Sequence, residues 1–147
     1  MRFFSRATTG LLVAVGSLWA AAPVTEAQPL SFDEAWVRAM PPGMKMTAAF
    51  GQLKNSGPDG LEIVDFGSPQ FADVSLHRTE AVGGVSRMRE VEGFSIEAGE
   101  TVELQPGGLH LMLMGPAEEL QVGQVVTVIL SITDGRKFSF TLPVERR

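Results

Sequence analysis

The sequence predicts an all-β domain, and two features carry that prediction. Short segments rich in β-branched and aromatic residues recur along the chain, separated by clusters of Gly, Pro, Asp and Ser. No segment shows apolar residues at helical spacing over three turns. Regularly spaced short strands with such turns are typical of an antiparallel sandwich or barrel.

Nine segments are predicted as strands. In chain order they cover 32–39, 47–55, 61–67, 73–80, 84–91, 101–105, 109–114, 124–133 and 137–144. The last segment alternates apolar with polar residues, so one of its faces is expected to meet solvent. Segment 124–133 is so rich in β-branched residues that burial on both faces is expected.

The first 27 residues have the form of a cleaved signal peptide. Arg2 and Arg6 provide a basic start, and the apolar run at 11–22 is too short to span a membrane comfortably. Cleavage is predicted after Ala27, although an uncleaved anchor is the alternative. Residues 28–147 are then expected to form one exported domain that does not insert into a membrane.

Charge and composition exclude several classes of function. Without 1–27 the chain keeps 10 basic and 16 acidic side chains, a net charge of −6. That charge argues against nucleic acid and anionic lipid as partners, because both need a basic face. The chain contains no cysteine, so it offers no disulfide, no thiolate ligand and no acceptor for a lipoprotein lipid.

The motifs of common enzymes are missing from the sequence. It contains no G-x-S-x-G elbow, no phosphate-binding G-x-x-x-x-G-K-[ST] loop and no H-E-x-x-H pair. The adjacent acidic pairs at 33–34 and 118–119 would face opposite ways on a strand and are interpreted as solvated surface. The protein is therefore not expected to be an enzyme.

Histidine and methionine alternate with leucine in "GGLHLMLMG" at 107–115. On a strand, the leucines would share one face, and His110, Met112 and Met114 would share the other. If 73–80 and 84–91 form a hairpin, His77 and Met88 can face each other across it. A further pairing with 109–114 would bring His77, Met88, His110 and Met112 together as a metal site.

Such a donor set favours monovalent copper, because thioethers are soft, neutral ligands. The alternative is structural, since methionine usually fills cores. Met114 is interpreted as a core residue, and Met40, Met44 and Met46 around "PPG" are assigned a minor role or none. Spacing alone supports copper binding and core packing about equally as interpretations of this histidine and methionine pattern.

A resemblance to a known family separates these readings. The four residues follow the spacing H-x10-M-x21-H-x-M, which resembles the signature of the PCu(A)C-type periplasmic copper chaperones. The stretches "AWVRAMPPG", "GGVSRMREVEG" and "LQPGGLHLMLMG" are also similar to blocks of that family, in the same order. The similarity extends over essentially all of 28–147.

The resemblance implies a cupredoxin-like β-sandwich that binds Cu(I) through His77, Met88, His110 and Met112. It also implies a periplasmic role in copper supply to cytochrome c oxidase assembly, with subunit II or a Sco-type chaperone as partner. A blue-copper electron carrier is excluded, because such sites use a cysteine thiolate. The remaining alternative is an exported non-metal β-sandwich that binds a protein or peptide.

Overall fold

The structure is a computed structural model that describes residues 28–147. This part of the chain is built from strands, and none of it forms a helix that could cross a membrane. The prediction for 1–27 lies outside the described residues. The ten strands are β1 (Leu30–Arg38), β2 (Met46–Asn55), β3 (Leu61–Gly67), β4 (Phe71–Val82), β5 (Val85–Glu90), β6 (Phe94–Ile96), β7 (Thr101–Leu104), β8 (Leu109–Pro116), β9 (Val125–Ile132) and β10 (Lys137–Glu145).

The strands form two groups that are joined by one parallel pairing. The first group has the order β5-β4-β8-β2-β1, with β7 also paired to β2, and the second has the order β10-β9-β3-β6. Strands β1 and β10 run parallel where the groups meet, and the other pairings are antiparallel. The all-β prediction is confirmed, with this parallel pair as the exception to a purely antiparallel arrangement.

Alternating side chains from both groups fill one hydrophobic core. Val37 and Leu111 come from the first group, Ile63 and Val128 from the second, and all four are fully buried. Asn55 is a polar residue in this core, and its amide donates hydrogen bonds to the carbonyls of Asp59 and Ile96. The burial of Asn55 is therefore compensated, as a buried polar group requires.

The predicted strands are found close to their expected bounds, with two differences. The three-residue strand β6 was not predicted. Strand β9 is buried on one face only, because its alternate residues Thr127, Ile129 and Ser131 are half-buried and Val125 is exposed. The expectation that 124–133 is buried on both faces is therefore wrong.

Two tight turns define the β4–β5 and β9–β10 hairpins. Gly83 and Gly84 join β4 to β5 with φ of 58° and 78°, the left-handed values that a two-residue hairpin turn requires. In the β9–β10 turn, the backbone N–H and the guanidinium of Arg136 donate hydrogen bonds to Asp134. These bonds hold the pKa of Asp134 below its usual value.

Candidate metal centre

Strand β8 separates core residues from candidate ligands. Leu111 and Leu113 are fully buried in the core. His110, Met112 and Met114 project from the opposite face, because successive side chains of a strand alternate. The predicted division of "GGLHLMLMG" into a core face and a donor face is confirmed. Met114, which is partly buried, lies on the donor face, so its interpretation as a core residue is wrong.

The two histidines are direct neighbours across β4 and β8. The register pairs His77 with His110, and their ring centroids lie 6.1 Å apart with the planes 25° from parallel. His110 is buried, with 5% of its surface exposed, and His77 is partly buried. The fold therefore places both imidazoles of the chain on one face of the sheet.

A backbone carbonyl orients the imidazole of His110. Its Nδ1 lies 3.0 Å from the carbonyl oxygen of Gly108. Because a carbonyl oxygen only accepts, Nδ1 carries the proton and donates it to this bond. Nε2 is then the nitrogen with a free lone pair, which is the arrangement that metal-binding histidines commonly show. The ring of Phe50, with its centroid 6.3 Å away, packs beside this imidazole.

The imidazole of His77 has a side-chain partner. Its Nε2 lies 2.9 Å from the hydroxyl of Ser75, two residues earlier on β4. Ser75 is also the register partner of Met112 on β8. A serine hydroxyl can donate or accept, so either tautomer of His77 satisfies this contact.

Met88 joins the same face from the edge strand β5. It pairs with Thr79, which lies on the same face of β4 as His77 because the two residues are two positions apart. The predicted hairpin is confirmed, but His77 lies opposite Glu90, so Met88 is its diagonal neighbour and not its direct partner. More than half of the Met88 side chain is exposed.

A cavity of about 310 Å³ opens on this face. Three of the four predicted ligands, Met88, His110 and Met112, line it, and His77 lies beside it against the ring of His110. The cavity is also lined by the methionines around the PPG turn: Met40, Met44 and Met46. The sequence pattern indicates a minor role or none for these three methionines, because no histidine accompanies them. The i, i+2 spacing of Met44 and Met46 is the signal in the sequence that points to a shared face.

The donors at this cavity are uncharged. None of the described acidic side chains lines it, and Arg38 is the charged residue at its wall. Within 28–147, no three His, Cys, Asp or Glu side chains are grouped so that they could hold a metal. The arrangement therefore offers imidazole nitrogens and thioether sulfurs, a set that suits a soft monovalent ion better than zinc, calcium or magnesium.

Fold and site together define a small β-sandwich with a histidine–methionine face. The model of a family described as "Putative lipoprotein LpqE-like" matches residues 30–144, and the chain belongs to this family. A relative from Leifsonia xyli subsp. xyli, named "Putative lipoprotein Lxx21020", is 39% identical over 124 residues. That match covers 84% of this chain and 74% of the relative.

Solved structures of PCuAC domains share the fold. The solution structure of CuI-DR1885 from Deinococcus radiodurans is 33% identical, covers 84% of this chain and 83% of its own, and superposes with a TM-score of 0.66. The copper-bound PCuAC domain from PmoF2 is 18% identical, covers 82% of this chain and 95% of its own, and also reaches 0.66. The resemblance to the PCu(A)C type and the cupredoxin-like β fold are thereby confirmed.

Proposed function

We propose that this protein is an exported copper carrier that holds one Cu(I) ion between His77, Met88, His110 and Met112. The observation that supports the proposal most strongly is the register of β5, β4 and β8. It sets the two imidazoles and two thioethers of the family-like motif on one face, beside one cavity. The similarity to a domain solved with Cu(I), at 33% identity, supports the same ion.

The chemistry of this face fits a carrier better than a permanent store. Thioethers and neutral imidazoles leave the positive charge of Cu(I) uncompensated, and no thiolate strengthens the binding. The proposed site also opens at the surface, since Met88 is 54% exposed. The ligands of an acceptor can therefore approach the ion before those of the carrier leave.

The proposed location and delivery rest on the form of the sequence and on the resemblance to the family. We infer that 1–27 directs export and is removed, and that 28–147 acts in the periplasm. The name of the Leifsonia relative describes a lipoprotein, but these 147 residues contain no cysteine to accept a lipid. The proposed acceptors are cytochrome c oxidase subunit II or a Sco-type chaperone, as the resemblance to PCu(A)C-type chaperones implies. No catalytic step is required of the protein in this role.

A competition titration with Cu(I) under reducing conditions tests the proposal. We expect one tightly bound ion per chain and a strong preference over Zn(II). His110→Ala should lower the Cu(I) affinity by about a hundredfold or more, because even residues that merely orient metal ligands contribute 10–100-fold. Met114→Leu is the matched control, since Met114 shares the face but does not line the cavity.

Two results would reject this function. Absence of Cu(I) binding by the folded wild-type protein would favour the non-metal alternative, an exported module that binds a protein or peptide. Unchanged affinity in His110→Ala would remove His110 from the ligand set. Circular dichroism of each variant verifies that the fold is retained, since His110 is buried.

A further inference from the structure

Methionine has an unusual distribution in this fold. The described residues include six methionines, at 40, 44, 46, 88, 112 and 114, and none of them is buried. The core is filled instead by Leu, Val, Ile and Phe. Five of the six line one cavity, and Met114 lies next to it on the same face. Methionine is therefore concentrated at one surface and is not used here as core filler.

The proposed Cu(I) site uses only two of these side chains. The other three at the cavity, Met40, Met44 and Met46, are called the outer methionines below. They are brought together by a turn in which the Met44 N–H donates to the carbonyl of Pro41 at 3.2 Å, with Gly43 at φ 83°. Met40 packs against the core, which fixes one side of the group.

The outer methionines face the same space as the inner ligands. On β2, Met46 pairs with Met114 and Ala48 pairs with Met112, so Met46 and Met112 are diagonal neighbours on one face. Met44 and Met46 remain 49% and 48% exposed, although large apolar side chains usually gain by burial. Thioether sulfurs therefore extend from solvent to Met112 and His110 within a single cavity.

We propose that the outer methionines form a second, weaker site for a soft monovalent ion, through which Cu(I) reaches and leaves the inner site. The proposal rests on the copper-carrier function proposed above. The site is weaker because it contains thioethers without an imidazole. On release, an outer thioether sulfur bonds to the ion as an inner donor dissociates; on loading, an inner donor bonds as an outer sulfur dissociates, and copper stays Cu(I) throughout.

Methionine-methyl NMR of the purified protein under anaerobic, reducing conditions tests this directly. The first equivalent of Cu(I) should shift the methyl signals of Met88 and Met112. Further Cu(I), or Ag(I) as a redox-inert probe, should then shift those of Met44 and Met46. Met114 pairs with Met46 but does not line the cavity, so it is the internal control, and its signal should shift less than those of Met44 and Met46. Stationary Met44 and Met46 signals at several equivalents, or an equal shift of Met114, would overturn the second site.

The same spectra separate this inference from the proposed function. If Met88 and Met112 stay unshifted while Met44 and Met46 respond, the inner site fails, and the outer methionines bind the ion but are not a route to an inner site. If Met88 and Met112 respond and the outer methionines never do, the carrier function stands and the outer site fails. Because each methionine gives its own signal, failure of the outer site and failure of the inner site produce different spectra.

A double variant tests the role in transfer. Met44→Leu/Met46→Leu keeps apolar side chains at the cavity mouth but removes two sulfurs. The second binding event should disappear while the first remains, and transfer of Cu(I) to a competing chelator should slow by about tenfold, a change of about 1.4 kcal/mol in the barrier. Met114→Leu should transfer copper at the wild-type rate. A double variant with unchanged transfer would show that the outer methionines are not the route.

Discussion

Strands β8 and β5 both contribute to the proposed copper site, but they hold their residues in opposite ways. Strand β8 lies inside the sheet between β4 and β2, and its His110 is buried and oriented by the Gly108 carbonyl. Strand β5 is an edge strand whose six residues are all exposed, and β4 is its neighbour in the sheet. We therefore expect His110 on β8 to be a fixed ligand of the proposed site and Met88 on β5 to be a replaceable one.

The largest expected effect concerns the core face of β8. Leu111→Ala should lower the free energy of unfolding by about 2–5 kcal/mol, because Leu111 is fully buried and its truncation leaves a cavity. Met88→Ala on β5 should change it by less than about 0.5 kcal/mol, as expected for an exposed residue. Urea denaturation of both variants measures the contrast. Equal losses would mean that β5 is as tightly packed as β8.

The contrast between the two faces of β8 was predictable from local alternation. Leucine at 109, 111 and 113 predicts a buried face, whichever strands lie beside β8. Because side chains alternate along a strand, His110 and Met112 are then predicted to lie on the opposite face. The strand β6 was missed because three residues are too few to show alternation. Thr127 and Ile129 are β-branched on a face that is only half-buried, so β-propensity alone overestimated their burial.

Features set by contacts between distant strands could not be predicted in the same way. The parallel pairing of β1 with β10 joins opposite ends of the described chain and leaves no local pattern. The offset that sets Met88 opposite Thr79 is fixed by the length of the two-glycine turn, whereas alternation along each strand leaves that offset open. The outer methionines meet His110 only through the pairing of β2 with β8.

The second prediction separates imidazole donors from thioether donors by pH. Thioethers do not titrate, whereas an imidazole takes up a proton in mildly acidic solution and then cannot bind metal. Cu(I) affinity should fall on acidification, approaching about a hundredfold per pH unit if both histidines must lose a proton before they bind the ion. Competition with a chelator of known pH behaviour measures this slope.

Two variants assign the pH slope of the Cu(I) affinity to particular residues. In His77→Ala the limiting slope should fall to about tenfold per pH unit, since one proton then competes instead of two. Met88→Leu should lower the affinity and leave the slope unchanged. Cu(I) binding that stays constant down to about pH 4 would mean that methionines alone hold the ion, and the histidines of β4 and β8 would lose their assigned role.

The smallest expected effect compares one thioether from each strand. Met88→Leu and Met112→Leu both keep an apolar side chain of similar size while removing a soft donor. Each should weaken Cu(I) binding by about tenfold, equivalent to about 1.4 kcal/mol. The two variants should differ in kinetics. Loss of Met88 removes the exposed thioether of the inner site, whereas loss of half-buried Met112 removes one held between β4 and β2. Stopped-flow measurements of copper transfer to a chelator should therefore show that Met112→Leu releases copper faster than the wild type. In the wild type and in Met112→Leu, the transfer rate should still depend on the chelator concentration. In Met88→Leu that dependence on chelator concentration should weaken, because the ion then leaves from ligands that an incoming donor reaches less easily. Identical kinetics in the two variants would contradict the assignment of a fixed role to β8 and an exchangeable one to β5.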